Sequence, residues 1–333
     1  MMSDESPARP LTSRELAALI GVSQSAVSRA FTPGSSISSK LRARILGAAH
    51  EYGYQPNAIA SMMTTKRTKI VGIVVSDMRN PFYPALIERL TQALQRVGFQ
   101  SLLFNISPGA RIEEQLVAIR TYNVDTVIVI SATILDDRTL NWAAGGRRAI
   151  LLNRLSHQDM PTVCCDNVAG ARAVVDHFHA IDRHRIGYVA GLAKTAVGMT
   201  RQGAFTTRLA ELGMRLVGSA GSEAYTFEAG WQGALDLLAA RPDAIFFASD
   251  ILALGGLGAL RAAGVRIPED IAVAGFDDIV MAGWPTNDLT TYRQPVDQLI
   301  EKAIEMTLAA EIDEDRLVLL PGELIIRGST SGD

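Results

Sequence analysis

Gly21-Val22-Ser23-Gln24-Ser25-Ala26-Val27-Ser28-Arg29-Ala30 is the stretch on which the fold turns. Gly21 breaks a first helix that Thr12 or Ser13 can cap and that carries Leu16, Leu19 and Ile20 on one face. Ser23 then caps a second helix, Gln24 to Ala30, that buries Ala26, Val27 and Ala30. Helix, three-residue glycine turn and short helix is the pattern of a helix-turn-helix. The face opposite the apolar residues holds Gln24, Ser25, Ser28 and Arg29, all able to reach bases or phosphates. A solvated helix surface is the plainer reading of such a face in isolation.

Working outward, Ser38 can cap a third helix, about Ser39 to Tyr52, buried through Leu41, Ile45, Leu46 and Ala49. Tyr54-Gln55-Pro56-Asn57 ends it, and Asn57 can cap a further short helix, Ala58 to Met63, too small to be stable alone. Thr64 to Lys69 reads as a polar, basic linker. The charge changes sign here. Residues 1–69 hold nine Lys/Arg against four acids, a net of +5; the other 264 of the 333 residues carry the remaining 23 basic and 31 acidic side chains, a net of −8. The overall −3 thus averages a basic head and an acidic body, an asymmetry that favours a nucleic-acid partner for the head.

With 48% hydrophobic and 20% charged residues, disordered and collagenous classes are excluded. No apolar run reaches 18 residues and MMSDESPARP has no signal-peptide core, so no membrane partner and a cytoplasmic location are expected. The two cysteines, Cys164 and Cys165, are adjacent, too few for a zinc module, and are expected to be buried strand residues.

From Lys69 onward, apolar runs alternate with helical patterns. Strands are expected at Ile70–Val75, Gln100–Phe104, Thr126–Ile130 and Ala149–Leu152, with helices over Tyr83–Val97, near Arg111–Tyr122 and from Asp136. A second set starts at Val163–Cys165 and continues with helix Gly170–Ala180, strand Ile186–Val189, helices Arg201–Leu212 and Phe227–Ala239, strand Ala244–Phe247, helix Ile251–Ala263 and strand Ile271–Ala274. Apolar strands between amphipathic helices imply two doubly wound parallel sheets. Ligands of such sheets bind beyond the carboxyl ends of the strands, which draws attention to Asp77–Tyr83, Asn153-Arg154, Ser249-Asp250 and Asp277-Asp278. Asp250 and Asp278 have helix capping as an equal alternative.

Gly21-Val22-Ser23, Ala26-Val27-Ser28-Arg29, Ile37 to Arg42, Gly53 to Asn57, Asp77 to Tyr83, Ser249-Asp250, Gly275 to Asp278, Arg293-Gln294-Pro295 and Glu323 to Thr330 follow one another in a consistent order along the chain. In these motifs the chain resembles the lactose-repressor (LacI/GalR) family of bacterial transcription regulators. The resemblance implies an all-α helix-turn-helix head, 11–56, a hinge helix and linker, 57–69, and a periplasmic-binding-protein-like α/β body, 70–330. Three crossings near 160, 292 and 320 would divide the body into one subdomain of about 70–160 and 293–320 and another of about 161–292 and 321–330. The helix Val296–Ala309 would belong with the first and the strand Glu323–Ile326 with the second.

By resemblance, Gln24, Ser25 and Arg29 read the major groove, where Gln pairs with adenine and Arg with guanine. Ser23, Ser28, Ser38 and Arg42 would touch phosphates. Asn57 and Ala60 would lie in the hinge, and Met63 would wedge into the central base step, as an apolar side chain can. Met63 stands where Leu is usual and Ser61 where Arg or Gln is; packing against the body is the alternative for Met62 and Met63. Arg201 and Asp277 are the principal polar contacts implied for a small effector, with Phe82, Tyr83, Tyr225 and Ser249 around them and Asp77, Asn153 and Arg154 at strand ends. Ser249 replaces the usual Asn.

The implied function is that of an operator-binding regulator, a repressor acting as a homodimer on pseudo-palindromic double-stranded DNA and controlled by a sugar-like metabolite. The rival is a two-lobed sugar-binding protein of transport or sugar metabolism without DNA function, which leaves the basic head unexplained. No P-loop, Gly-x-Gly-x-x-Gly turn, Gly-x-Ser-x-Gly elbow or His-Glu-x-x-His occurs, so no enzyme, cofactor or metal is expected. Gly255-Gly256-Leu257-Gly258 suits close helix packing, and His177, His179 and His184 suit a surface cluster at a helix end.

Overall fold

Each helix of the head begins on a side-chain cap. In the computed structural model, which describes residues 11–32, 34–56, 68–76, 78–105, 121–130, 148–155, 160–192, 195–222, 224–309 and 317–331, Thr12 and Glu15 form a reciprocal capping box at the start of α1 (Ser13–Leu19). Ser23 caps α2 (Gln24–Ala30) and Ser38 caps α3 (Ser39–Glu51), each accepting a backbone N–H three residues on. Each such cap contributes about 1 kcal/mol, which matters for helices of seven residues. Gly21 takes the left-handed conformation the turn needs, at φ +66°.

Leu16, Ala17, Ala26, Val27, Ala30, Ile45, Ala49 and Tyr54 make the core of the head. Leu19 and Leu46, expected inside, are exposed, because the interior takes Leu16 with Ala17 and Ile45 with Ala49.

The chain divides into two units, 1–68 and 69–333. In the second, β1 (Ile70–Val75), β2 (Gln100–Asn105), β3 (Thr126–Val129), β4 (Arg148–Leu152), β5 (Thr162–Cys165) and β11 (Leu317–Leu320) form one wholly parallel sheet in the order β11-β5-β4-β3-β1-β2. The other sheet runs β12-β10-β9-β8-β6-β7, from β6 (Arg185–Leu192), β7 (Arg215–Ser222), β8 (Ala244–Phe247), β9 (Ala272–Asp277), β10 (Thr290–Arg293) and β12 (Glu323–Ile325). Among the described strands, only β12 is antiparallel to its neighbour. Helices α4 (Phe82–Arg96), α5 (Asn167–Ala180), α6 (Ala196–Glu211), α7 (Phe227–Leu238), α8 (Asp250–Ala262) and α9 (Val296–Leu308) flank the sheets. Central strands buried along their length, such as β3 and β8, are what a sheet covered on both faces requires.

The crossings depart from expectation at one point. β5 pairs in parallel with β4 and β11, so the first sheet extends to Cys165 and the chain leaves it at Asp166 rather than near 160. It returns at Gln294-Pro295 after β10 and crosses a third time at Pro321-Gly322. Helix α9 packs on β4 and β5, and the Arg148 guanidinium closes its end by donating to the carbonyls of Met306, Thr307 and Ala309 at 2.7, 3.1 and 2.5 Å. Strands β7, β10 and β11 were not among the expected strands, although β11 is itself the apolar run Leu317–Leu320, and α6 starts five residues earlier than expected. The helices expected near 111–122 and from Asp136 lie, apart from residues 121 and 122, outside the described residues. Cys164 and Cys165 are buried free thiols. The glycines of α8 serve packing: a Cβ at Gly255 or Gly258 would run into Phe227 or Trp231 of α7.

Candidate functional site

In the head, Ser23, Gln24, Ser25, Ser28 and Arg29 are all exposed, while Ala26, Val27 and Ala30 between them are buried. The geometry is that of a helix presenting one polar face. Within that face Gln24 Nε2 donates to Ser13 Oγ at 3.0 Å, the Ser23 and Ser25 hydroxyls lie 3.0 Å apart, and Arg29 Nε donates to Ser25 O at 3.3 Å. The terminal nitrogens of Arg29 have no bond to another described group, so they are presented outward.

Arg42, expected at a phosphate, also binds the backbone of the head itself. Its guanidinium donates to Ala30 O and Thr32 O at 3.2 and 3.3 Å and to Ser35 O and Oγ at 3.4 and 3.0 Å, fastening the segment after α2 to α3. Those carbonyls lie at and just beyond the end of α2, where unsatisfied acceptors and the helix dipole both favour a cation. Ser38 is engaged as the α3 cap. Asn57, Ala60 and Met63 lie outside the described residues.

In the body, the carboxyl ends of the two sheets enclose a cleft of about 420 Å³, its open mouth included. It is lined by Asn80, Phe82, Tyr83, Asn153, Thr195, Val197, Arg201, Tyr225, Ser249, Asp277 and Gln294. Seven of the expected residues therefore come together. Arg154 is buried but is not on the wall, and burial holds its guanidinium below its ordinary range, at about 10. Asp77 lies outside the described residues. Asn80, Thr195, Val197 and Gln294 were missed, although Asn80 lies within Asp77–Tyr83 and Gln294 within Arg293-Gln294-Pro295, two of the motifs that carry the family resemblance.

Arg201 is the most tightly held of these side chains. Its Nε and Nη2 donate to Asn167 Oδ1 at 3.1 and 2.7 Å, Nη1 donates to the Ala248 carbonyl, and its carbon Cζ lies 3.4 Å from the centre of the Phe276 ring. Asp277, at the end of β9, accepts from Gln294 Nε2 at 2.6 Å and is hydrogen-bonded by the side chain of Asn80. Burial pushes its carboxyl up to about 6 against the opposing pull of the Arg201 charge. The Ser249 hydroxyl and Gln294 Oε1 are buried with no hydrogen-bond partner among the described residues. Buried polar atoms left this way cost about 1–3 kcal/mol each, which a bound polar group can recover.

Asp250 and Asp278 take neither of their two expected roles. Asp250 is wholly buried and accepts from Thr291 Oγ1 at 2.5 Å and Ile279 N at 2.9 Å; burial and the neighbouring Asp277 push its carboxyl up to about 8. Asp278 accepts from Arg293 Nε at 2.6 Å and Arg327 Nη2 at 2.7 Å. Together they brace a turn in which Asp277 and Asp278 both have positive φ, 125° and 54°, a strained backbone that needs such support. His177 is half-buried rather than on the surface, its Nε2 2.7 Å from Thr330 Oγ1. Among the described residues, no three His, Cys, Asp or Glu side chains are grouped to hold a metal ion, and no helix is long and apolar enough to cross a membrane.

Residues 12–57 match the model of bacterial regulatory proteins of the lacI family, and residues 175–330 match a periplasmic binding protein-like domain. The HTH-type transcriptional regulator MalR of Streptomyces coelicolor is 30% identical over 338 residues, covering 95% of this chain and 96% of that protein. The chain belongs to the LacI family. It is a DNA-binding transcriptional regulator, as are its relatives, among them CelR of Thermobifida fusca, 29% identical over 94% of this chain and 96% of that one. A solved complex of the regulator CelR with cellobiose aligns with this LacI-family chain at a TM-score of 0.71 and 28% identity, covering 96% of this chain and 100% of that one. The lac repressor dimer bound to operator and the anti-inducer ONPF aligns at 0.85, covering 97% and 100%; at 22% identity it supports the fold alone.

Proposed function

We propose that the chain is a repressor that binds a pseudo-palindromic operator as a homodimer and releases or tightens that grip when a sugar or sugar derivative occupies the cleft. The observation that carries this reading is the meeting of Arg201, Asp277 and Gln294 with the rings of Phe82, Tyr83 and Tyr225 around one enclosed space. Paired donors and acceptors suit vicinal hydroxyls, and aromatic faces suit the apolar side of a pyranose ring. The cellobiose-bound relative supports the same ligand class.

The exposed face of α2 supplies the DNA contacts in this reading: Gln24, Ser25 and Arg29 to bases, Ser23 and Ser28 to phosphates, with Met63 as the minor-groove wedge. One such helix reads only a short half-site, which is why a two-fold dimer is required. Effector binding changes operator affinity by a coupling of about 1–3 kcal/mol. The protein works in the cytoplasm, where its operator is, and performs no reaction of its own.

Gel shifts of promoter fragments with the full chain, with and without cellobiose, maltose and monosaccharides, test this. Saturable, salt-sensitive binding that one sugar shifts five-fold or more is the expected result. Binding to every fragment with equal affinity, or to none, would overturn the operator reading; sugar-insensitive specific binding would overturn the effector reading.

A further inference from the structure

Asn167 is the first residue of α5 and follows Asp166, the point where the chain leaves the first sheet for the second. Its side chain is fully committed. Oδ1 accepts both Arg201 Nε, at 3.1 Å, and Arg201 Nη2, at 2.7 Å. Nδ2 donates to the Cys165 carbonyl at 2.8 Å and to Cys164 Sγ at 3.6 Å, both in the last two residues of β5. Two acceptor sites and two donor hydrogens are the whole capacity of an amide, so nothing remains for a ligand. Asn167 is 2% exposed and does not line the cleft.

The same amide reaches the opposite wall. The Cys164 thiol lies 3.8 Å from Asn153 Oδ1, and Asn153 lines the cleft from the end of β4. A hydrogen-bonded row therefore runs Asn153, Cys164, Asn167, Arg201, from one lobe through the crossing to the other. Its neutrality matters. A carboxylate at 167 would cancel the Arg201 charge, whereas an amide and the Ala248 carbonyl orient the guanidinium and leave that charge to act on Asp277 and on whatever enters the cleft.

We propose that Asn167 is the positioning residue of the cleft: it fixes Arg201 to the first inter-lobe crossing, so that a ligand drawing on Arg201 loads that crossing directly. This rests on the effector reading of the cleft for its purpose, but the positioning itself is open to a test that needs no effector. Arg201 then has one orientation set from behind, and its remaining N–H groups point at the ligand space by construction rather than by induced fit.

The test uses the full chain with ¹⁵N-arginine and ¹³C-aspartate labels, comparing the wild type with Asn167→Ala and Asn167→Asp. Signals are assigned by their loss in Arg201→Ala and Asp277→Asn. In the wild type the Arg201 Nε–H should be protected from solvent exchange. Asn167→Ala should abolish that protection and raise the midpoint of the Asp277 carboxyl by about half a pH unit or more, because the cation that opposes its protonation is no longer held. Asn167→Asp keeps an oxygen in place and should restore the protected signal. A folded Asn167→Ala protein with the wild-type Arg201 signal and Asp277 midpoint overturns the proposal. If Asn167→Ala fails to fold, Asn167→Asp decides alone, and loss of the protected signal there is equally fatal. Where cellobiose binds the wild type, Asn167→Ala should weaken it ten-fold or more without changing operator affinity; no cellobiose binding to the wild type counts against that sugar only, and the arginine and aspartate spectra still decide whether Asn167 holds Arg201.

Discussion

Gly230 on α7 faces the first turn of α8 so closely that a single added methyl group has a calculable consequence. A Cβ at 230 would lie 2.5 Å from the carbonyl carbon and 2.6 Å from the Cα of Leu252, with the carbonyl oxygen closer still. These are backbone atoms and cannot rotate away. Ordinary carbon–carbon separation is about 3.5–4.0 Å, so the first turn of α8 must withdraw by at least about 1 Å. Asp250 opens that turn, and its bonds to Ile279 N and Thr291 Oγ1, at 2.9 and 2.5 Å, would stretch toward or past the ~3.5 Å at which a hydrogen bond is lost. Overpacking costs about 1–3 kcal/mol and a lost hydrogen bond to the carboxyl, held protonated at neutral pH, about 0.5–1.5, so Gly230→Ala should destabilise the body by roughly 2–4 kcal/mol. For a unit of this size that is a fall in Tm on the order of 4–12 °C. Gly203→Ala is the matched control: it lies on the exposed side of α6 with nothing within 4 Å of the new methyl, and should gain about 0.5–1 kcal/mol of helix stability. Thermal melts of the full chain followed by circular dichroism compare the two. A Gly230→Ala protein that melts with the wild type, or a Gly203→Ala protein that falls as far as Gly230→Ala does, would refute the reasoning.

Three further outcomes follow from the same geometry. Arg42→Ala should lower the stability of the head by about 1–2 kcal/mol while leaving the slope of log K against log salt nearly unchanged, whereas Arg29→Ala should erase discrimination between operator and random DNA without unfolding the head; titrations at several salt concentrations separate them. Asp277→Ala should keep operator binding and lose the response to any sugar that shifts the wild type, read by gel shift with and without that sugar. The buried pair Asp250 and Asp277 sets a pH dependence: both carboxyls are raised in the fold, to about 8 and about 6, above an ordinary 3.8. Their stabilising contribution is therefore complete below about pH 4 and is lost as pH rises through 6 and 8, and Asp250→Asn, which mimics the protonated form, should flatten the fall in Tm between pH 6 and 8.

Much of this was legible in the chain because it is local. Ser23 and Ser38 announce their helices by hydroxyls three residues from the N–H groups they accept, and the apolar runs at Ile70–Val75 and Ala244–Phe247 have no stable place except inside a sheet. Strands β7 and β10 were missed because the glycines and serines of Arg-Leu-Val-Gly-Ser-Ala-Gly-Ser weaken its strand signal, and Thr-Thr-Tyr-Arg, although β-prone in composition, is only four residues long and contains no apolar run. β7 is an edge strand held by one neighbour, and β10 is recruited between β9 and β12. In the site, Arg201 and Asp277 were readable through the family resemblance, whose motifs also contain Asn80 and Gln294. Asn167 was not, since its importance lies in four hydrogen bonds to three residues and none to a ligand.

The sequence by itself determined that a basic helix-turn-helix head precedes an acidic α/β body, since caps, periodicity and charge act over a few residues. Only the tertiary structure decided that Thr162–Cys165 joins the first sheet, that Arg42 clasps carbonyls of the head, and that Asn167 holds Arg201 from behind. Each of these depends on partners about 10 to 160 residues away in the chain. A short apolar run or a lone arginine reads the same whichever partner it finds, so the choice among partners belongs to packing and hydrogen-bond saturation in the folded chain.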